Sequence, residues 1–273
     1  MTSTSTGPEA VLEVRDLEVT FGSGHAAAKV LKGVSTSIQR GKTLGIVGES
    51  GSGKSTLAKA IVGLNPVSAG SISINGQDMA AMSRTQRRAI YREVQMIPQD
   101  PYSSLNPRRT IGQTLAEAIN PVRSNPKLHR EKISRWLSTI RLDPEVANRY
   151  PHEFSGGQRQ RIAIARALAV EPKLIIADEI TSALDLSVQA EILNLISRLR
   201  AELDLTMAFI SHDLDVVHHV SDEIMVLFHG EVVERGDVDS VYGNPNHPYT
   251  RKLIDSVPGG PGFDIGERRS EVA

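Results

Sequence analysis

The chain has 273 residues, contains no cysteine and carries a formal net charge of -1. The lack of cysteine excludes a disulfide framework, a thiolate zinc site and an iron–sulfur cluster, and the near-neutral charge provides no global attraction to nucleic acid or anionic lipid. The composition, 40% hydrophobic and 23% charged, is typical of a globular protein, and no apolar run approaches the ~18 to 20 residues of a membrane-spanning helix.

The first part of the chain predicts a tail followed by an antiparallel β-layer. Residues 1–10 are rich in Ser and Thr and have neither a basic start nor an apolar centre, so we expect a flexible tail and not a secretion signal. Strands are predicted at 11–14, 17–21 and 34–39, between turns that contain Gly and Ser.

Residues 48–56 are the most informative stretch, because they match the pattern G-x-x-x-x-G-K-[ST] at every fixed position. An apolar run at 43–47 predicts a buried strand before the loop, and 57–62 predicts a helix after it. A loop between strand and helix places its N–H groups at a helix N-terminus, where anions bind. The sequence therefore predicts a site for nucleotide phosphates, formed by Gly48, Glu49, Ser50, Gly51, Ser52, Gly53, Lys54, Ser55 and Thr56.

The residue types in this loop fit that chemistry. Glycines allow the backbone to curl so that successive amides reach phosphate oxygens, and the helix dipole adds about half a positive charge. Lys54 provides a mobile positive charge for the β- and γ-phosphates, and Ser55 offers a hydroxyl to Mg²⁺, which prefers oxygen ligands. Phe21, at the end of its strand, is a candidate to stack on an adenine ring, with ordinary core packing as the alternative.

The stretch after the first helix predicts a hairpin, a helix and a strand. A strand at 70–74 leads into an Asn-Gly turn, which is a strong hairpin signal. A helix is predicted at 83–92, and the following strand at 94–99 ends in the polar side chain of Gln99.

An inserted group of helices is predicted next. Prolines at positions 101, 107, 121 and 126 interrupt the chain, and helical patterns return at 111–119 and 127–140. We therefore expect a helical insert at about 100–165.

A second anion-binding helix terminus is predicted at Ser155, Gly156, Gly157 and Gln158. Ser155 is a candidate N-cap, the two glycines leave first-turn amides accessible, and 162–170 is a helical run. One phosphate chain is not easily held by two helix termini that lie about a hundred residues apart. We therefore expect this second terminus to act on a nucleotide held by a partner subunit.

Two further strands end in polar residues. The apolar run at 174–177, without alternation, predicts a central parallel strand, and its carboxyl end carries Asp178 and Glu179. Asp178 suits a Mg²⁺ partner, through water, and Glu179 suits a residue that orients or deprotonates an attacking water. A helix N-cap is the alternative for this acid pair. His212 follows a strand at 206–211 and is a candidate to contact the γ-phosphate.

These motifs, in this order, resemble those of the ATP-binding cassette (ABC) ATPases. The correspondence consists of the phosphate loop at 48–56, Gln99 as the Q-loop, 155–158 as the signature, Asp178 and Glu179 as Walker B and catalytic acid, 182–185 as the D-loop, and His212 as the switch histidine. The resemblance implies a catalytic set of Glu179, His212, Lys54 and Gln99. It also implies that Ser55, Gln99 and Asp178 hold Mg²⁺, and that Asp185 contacts ATP at a dimer interface.

The resemblance also implies the fold and the domain boundaries. The expected fold is α/β, with a RecA-like parallel sheet, an antiparallel β-subdomain and an inserted helical subdomain. The ATPase domain would span 11–245, and 246–273 would form a short C-terminal extension and tail.

Finer features resemble the dipeptide and oligopeptide importer branch of this family, namely the stretches 99–107, 150–154 and 244–250. The branch implies a second ABC ATPase subunit, two transmembrane permease subunits and an extracytoplasmic solute-binding protein. It places the chain on the cytoplasmic face of a bacterial plasma membrane, with no nucleic-acid partner and no direct membrane insertion. Whether the second ATPase is a copy of this chain or a different one, and which solute is transported, stay open.

One position departs from the family pattern. Ile180 stands after the catalytic Glu, where proline is usual, and we expect a looser turn and a modest change in rate. Two alternatives to an importer subunit remain at this point: a soluble ABC ATPase outside transport, and a weakly active regulatory nucleotide-binding subunit.

Overall fold

The computed structural model describes residues 10–24 and 27–256. Residues 1–9 and 257–273 lie outside this part, and with them most of the predicted N-terminal tail and the end of the predicted C-terminal extension. No helix in the described ranges is long and apolar enough to cross a membrane.

Strands and helices alternate along most of the described chain. The strands are β1 (Ala10–Phe21), β2 (Ala28–Gln39), β3 (Thr43–Val47), β4 (Ala69–Ile74), β5 (Gln77–Asp78), β6 (Val94–Ile97), β7 (Leu174–Asp178), β8 (Met207–Ile210), β9 (Glu223–Phe228) and β10 (Glu231–Asp237). The helices are α1 (Lys54–Ile61), α2 (Arg84–Glu93), α3 (Pro101–Ser104), α4 (Ile111–Ile119), α5 (Arg130–Thr139), α6 (Gly156–Leu168), α7 (Leu186–Leu203), α8 (Leu214–Val220), α9 (Val238–Gly243) and α10 (Pro248–Asp255).

Four strands form the antiparallel layer in the order β2-β1-β4-β5. The sequence predicts two strands at 11–14 and 17–21, whereas the structure has one continuous β1. The register of β1 shifts between Val14 and Leu17, and Asp16 between them has φ 45°. An irregularity of this kind bends a strand without ending it, which explains why the alternation appears broken in the sequence.

The second sheet has six strands in the order β10-β9-β3-β8-β7-β6. β3 pairs in parallel with β8 and β9, β7 pairs in parallel with β6 and β8, and only β10 is antiparallel. All residues of β3, β7 and β8 are buried. The apolar runs without alternation therefore correspond to central strands covered on both faces, as predicted.

The insert between β6 and β7 is helical, with boundaries that differ from the predicted ones. The helix predicted at 127–140 is a 3₁₀ turn at Pro126–His129 followed by α5, with the proline at its first position. The helical run predicted from Ile162 begins earlier, at Gly156, because Ser155 caps α6.

The candidate site lies at the carboxyl ends of the parallel strands. The phosphate loop follows β3, Gln99 follows β6, Glu179 follows β7 and His212 follows β8. Since parallel strands that are neighbours in a sheet end at the same edge, four segments distant in sequence meet there.

Candidate active site

The phosphate loop is packed so closely that glycine is required at two positions. A Cβ on Gly48 would lie 2.2 Å from the Leu227 carbonyl oxygen, which is backbone and cannot move aside. Gly53 has φ 108° and caps α1 in a left-handed conformation that other residues rarely adopt. The loop therefore passes directly over the end of β9 before it enters α1.

Lys54 is buried beneath the loop. Its side chain is 4% exposed, and its Nζ donates to the carbonyl oxygens of Gly48 at 2.7 Å and Glu49 at 3.0 Å. The carboxylate of Glu179 lies 3.9 Å from the same Nζ. Burial lowers the pKa of Lys54, and the nearby carboxylates of Glu179 and Asp178 act in the opposite direction. A bound phosphate would compensate this buried charge.

Ser55 and Asp178 form a pair of oxygen donors beside the lysine. Ser55 Oγ donates to Asp178 Oδ1 at 3.1 Å, and Asp178 is 6% exposed. Burial raises the pKa of Asp178, and the Ser55 hydrogen bond partly offsets that effect. A buried carboxylate with a neighbouring hydroxyl suits a hard cation such as Mg²⁺. Within the described residues there is no group of three or more His, Asp or Glu side chains that could hold a metal ion.

Glu179 is held in an uncommon backbone conformation. Its φ is 48°, which is unfavourable for a residue with a side chain, and its N–H donates to the Ile210 carbonyl oxygen at 2.9 Å. Ile180 is 1% exposed, so this side chain is anchored in the core. The hydrogen bond from Glu179 to the end of β8 and the burial of Ile180 together hold the turn that in the family pattern contains proline.

Three side chains meet at the Glu179 carboxylate or its backbone. Gln99 Nε2 donates to Glu179 Oε2 and to Ser182 Oγ, both at 3.0 Å. Ser182 Oγ donates in turn to the Glu179 carbonyl oxygen at 2.9 Å. His212 Nδ1 lies 3.8 Å from Glu179 Oε2. In the structure, Gln99 therefore contacts the candidate catalytic acid. The family resemblance also implies that Gln99 binds Mg²⁺ together with Ser55 and Asp178.

The signature segment forms a complete capping box. Ser155 Oγ accepts from the Gln158 N–H at 3.3 Å, and Gln158 Oε1 accepts from the Ser155 N–H at 3.0 Å. A Cβ on Gly157 would lie 2.4 Å from Val188 Cγ1, so this glycine allows α6 to approach α7. The glycine that the sequence analysis assigns to amide access is thus also a packing requirement.

Among the residues that the structure describes, no hydrogen bond or ion pair joins 155–158 to 48–56, Asp178 or Glu179. Ser155 and Gln158 are exposed. This arrangement leaves the segment accessible to another molecule.

Two other predicted residues occupy peripheral positions. Asp185 is the N-cap of α7, where its Oδ1 accepts from the Val188 N–H at 2.9 Å and the Ser187 hydroxyl at 2.6 Å. The Ser187 hydrogen bond lowers the pKa of Asp185 most, followed by the Val188 amide. Phe21 is 39% exposed at the end of β1, so the core-packing alternative does not hold and its ring is accessible.

Tyr249 contacts the phosphate loop, although its sequence position does not predict this. Its hydroxyl oxygen accepts from the Glu49 N–H at 2.9 Å, so a residue of the C-terminal segment contacts the phosphate loop. The available signal is an aromatic residue in an otherwise polar, proline-bearing stretch, and Tyr249 is 8% exposed.

Two protein-family models match this chain. Residues 31–182 match the family model described as ABC transporter, which is more than half of the chain. The chain belongs to this family. A second model, described as oligopeptide/dipeptide transporter, C-terminal region, matches residues 233–263. As an ABC ATPase the chain binds and hydrolyses ATP, as predicted.

Curated relatives are identical to this ABC ATPase at nearly half of the aligned positions. The di/tripeptide transport ATP-binding protein DppF of Pseudomonas aeruginosa is 49% identical over 258 residues, covering 92% of this chain and 80% of the relative. The oligopeptide transport ATP-binding protein OppF of Escherichia coli is 46% identical over 271 residues, covering 94% and 80%.

Solved structures confirm the predicted fold class. CbiO1 from Clostridium perfringens, part of the ABC transporter complex CbiONQ, superposes with a TM-score of 0.76 at 28% identity and covers 86% of this chain and 92% of its own. A dimeric ATP-binding cassette in a post-hydrolysis state, bound to ADP and phosphate, gives a TM-score of 0.72 at 29% identity and covers 83% and 98%.

Proposed function

We propose that this chain is the ATP-hydrolysing subunit of a peptide importer. The observation that carries the proposal is the match of residues 233–263 to the C-terminal region of oligopeptide and dipeptide transporters, beside an ABC domain. Relatives named for di/tripeptide and oligopeptide transport support the same substrate class. The two alternatives, an ABC ATPase outside transport and a regulatory subunit, lack such support.

The phosphate loop is proposed to hold the triphosphate of ATP. Its amides and the N-terminus of α1 would contact the phosphates, with Lys54 on the β- and γ-phosphates and the accessible ring of Phe21 against the adenine. Ser55 and Asp178 would hold Mg²⁺, with Gln99 as a further contact. When bound, the ion neutralises charge on the phosphates.

Glu179 is proposed as the residue that orients and deprotonates the attacking water. It lies at the carboxyl end of β7, and Gln99 and Ser182 hold its carboxylate and its backbone, respectively. His212, at 3.8 Å from the same carboxylate, would contact the γ-phosphate and limit the movement of that water. Proton acceptance by a positioned side chain contributes about 10² to 10⁴ in rate.

The complete site is proposed to form between two ATPase subunits. The exposed signature at 155–158 would close over ATP held by the loop of a second cassette, with Asp185 close to the interface. The dimeric form of a structural relative supports this arrangement. Phosphoryl transfer depends mainly on positioning and electrostatics, so assembly of donors across an interface controls the rate directly. The second cassette is either a copy of this chain or a different one.

The remaining partners are proposed to be membrane and extracytoplasmic proteins. Two transmembrane permease subunits would contact the helical insert at the cytoplasmic face of the plasma membrane, and a solute-binding protein would deliver the peptide from the other side. Gln99 begins the connection between β6 and this insert, so it would link the state of Glu179 to the permeases.

A purified complex tests the proposal. An affinity tag on this chain should recover two permeases and a second ATPase from detergent-solubilised membranes, identified by mass spectrometry. After reconstitution in liposomes with the binding protein, di- and oligopeptides should stimulate ATP hydrolysis, and free amino acids should not. Recovery with ribosomes or DNA instead of permeases, or ATP hydrolysis that no peptide stimulates, would contradict the proposed function.

A further inference from the structure

Tyr249 contacts the phosphate loop from the C-terminal segment. The residue lies in the first turn of α10, is 8% exposed and packs its ring against Phe228, with ring centroids 4.1 Å apart and an interplanar angle of 34°. Its hydroxyl oxygen accepts from the Glu49 N–H at 2.9 Å. Phe228 ends β9, the strand over which Gly48 passes, so loop, strand and helix meet at one point.

The two ends of a single peptide group are held by different side chains. The carbonyl of Gly48 and the N–H of Glu49 belong to the same peptide plane. The carbonyl oxygen accepts from Lys54 Nζ at 2.7 Å, and the N–H donates to Tyr249 at 2.9 Å. Because the plane is rigid, rotating it would break both hydrogen bonds. The orientation of this peptide therefore depends on Tyr249 as well as on Lys54.

Tyr249 is itself held in place by a buried acid. Glu234 of β10 is 9% exposed, and its carboxylate accepts from the N–H groups of Asn246 at 2.7 Å and His247 at 3.0 Å. His247 Nδ1 accepts from the Tyr249 N–H at 3.1 Å and so caps α10. The C-terminal segment is thus tied to the sheet immediately before the tyrosine that contacts the loop.

We propose that Tyr249 is a positioning residue of the ATP site, which fixes the Gly48–Glu49 peptide and, through it, the ammonium group of Lys54. The proposal rests on the role of Lys54 in holding the β- and γ-phosphates. The C-terminal segment would then influence the affinity for ATP, because it holds the phosphate loop in the conformation that binds ATP. A loop that is already ordered loses less entropy when ATP binds.

The hydroxyl group alone can be removed by Tyr249→Phe, which keeps the ring on Phe228. We expect the Kd for ATP of the full 273-residue chain, measured by isothermal titration calorimetry, to rise about 3- to 10-fold, as for loss of one ordinary hydrogen bond. Hydrogen exchange measured by mass spectrometry should become faster in the peptide that covers 48–54. In steady-state assays, KM for ATP should rise more than kcat falls.

Tyr242→Phe is the matched control. The Tyr242 hydroxyl also donates a hydrogen bond in the C-terminal region, to Asp215 Oδ1 at 2.7 Å, but that bond leads to α8. This variant should leave the Kd for ATP and the exchange of 48–54 unchanged. Equal Kd values for Tyr249→Phe and the unmodified chain would overturn the proposal, even if the Tm fell, since the tyrosine would then be structural only.

A second variant separates this proposal from the proposed role of the loop. Lys54→Ala should abolish measurable ATP binding. If Lys54→Ala bound ATP as well as the unmodified chain, the assigned phosphate site would be wrong, whatever Tyr249→Phe did. If Lys54→Ala lost binding and Tyr249→Phe did not weaken it, the phosphate site would stand and only the positioning role would fail.

Discussion

Gln99 Nε2 donates to Glu179 Oε2 at 3.0 Å, which joins the ends of two neighbouring strands across 80 residues of sequence. Gln99 also lies two residues before Pro101, where the helical insert begins with α3. A movement of the insert would therefore be transmitted to the candidate catalytic carboxylate through the Gln99 side chain. If Glu179 is the catalytic residue, this hydrogen bond would connect hydrolysis to the surface proposed to contact the permeases.

Gln99→Ala should lower kcat more than it weakens ATP binding. The variant removes one hydrogen bond that orients Glu179, so we expect kcat of the assembled complex to fall about 2- to 10-fold. The control is Gln95→Ala on β6, because among the described residues the Gln95 amide donates only to the carbonyl oxygens of Tyr91 and Val94. A Gln95 variant with the same loss of kcat would show that the effect comes from β6 and not from Glu179.

Glu179→Gln should retain ATP binding and stall turnover. The amide cannot accept the proton of the attacking water, so kcat should fall by about 10² to 10⁴. Steady-state phosphate release and calorimetric ATP binding measure the two effects separately. Glu202→Gln, at an exposed acid on α7, should change neither. Normal ATP hydrolysis by Glu179→Gln would rule out Glu179 as the catalytic base.

Asp178→Asn should make the nucleotide-free chain more stable at neutral pH. Burial raises the pKa of Asp178, so the folded state holds this proton more tightly than the unfolded state. The stability contribution of Asp178 is therefore fully present below the unfolded pKa and is lost as pH rises through the folded pKa. Asparagine carries no charge and avoids this loss.

The same substitution should reduce the stabilisation by ATP and Mg²⁺. Thermal unfolding at pH 7 should give a higher Tm for Asp178→Asn without ligand and a smaller increase on adding ATP and Mg²⁺ than in the unmodified chain. At a pH below the unfolded pKa of aspartate, the two ligand-free Tm values should converge. A lower ligand-free Tm for Asp178→Asn at pH 7 would show that the ionised carboxylate stabilises the fold.

Ser155→Ala should separate helix capping from catalysis by comparison with Ser83→Ala. Both serines form capping boxes, and each accepts from a backbone N–H at 3.3 Å. Each substitution should lower the free energy of unfolding by about 1 kcal/mol, measured with urea. Only Ser155→Ala should reduce ATP hydrolysis by the assembled complex, while ATP binding by the single chain stays unchanged. Equal ATPase rates in the two variants would limit Ser155 to capping.

Local sequence determined the parts of this protein that depend on neighbouring residues. The phosphate loop needs glycines and a lysine at fixed spacing, so the residues at 48–56 were identifiable directly. The buried strands at 43–47 and 174–178 were predictable because a strand covered on both faces is apolar without alternation. The capping box at Ser155 and Gln158 is likewise contained within one turn.

Tertiary structure decided how distant segments meet. The hydrogen bond between Gln99 and Glu179 exists because parallel strands bring their carboxyl ends to one edge of the sheet. The contact of Tyr249 with Glu49, across 200 residues, exists because α10 packs against Phe228 at the end of β9. Strand order is set by packing and chain connection, which no local pattern encodes. The residues of the phosphate loop could therefore be predicted from the sequence. The side chains that contact this loop and Glu179 from distant segments, such as Tyr249 and Gln99, could be identified only in the folded chain.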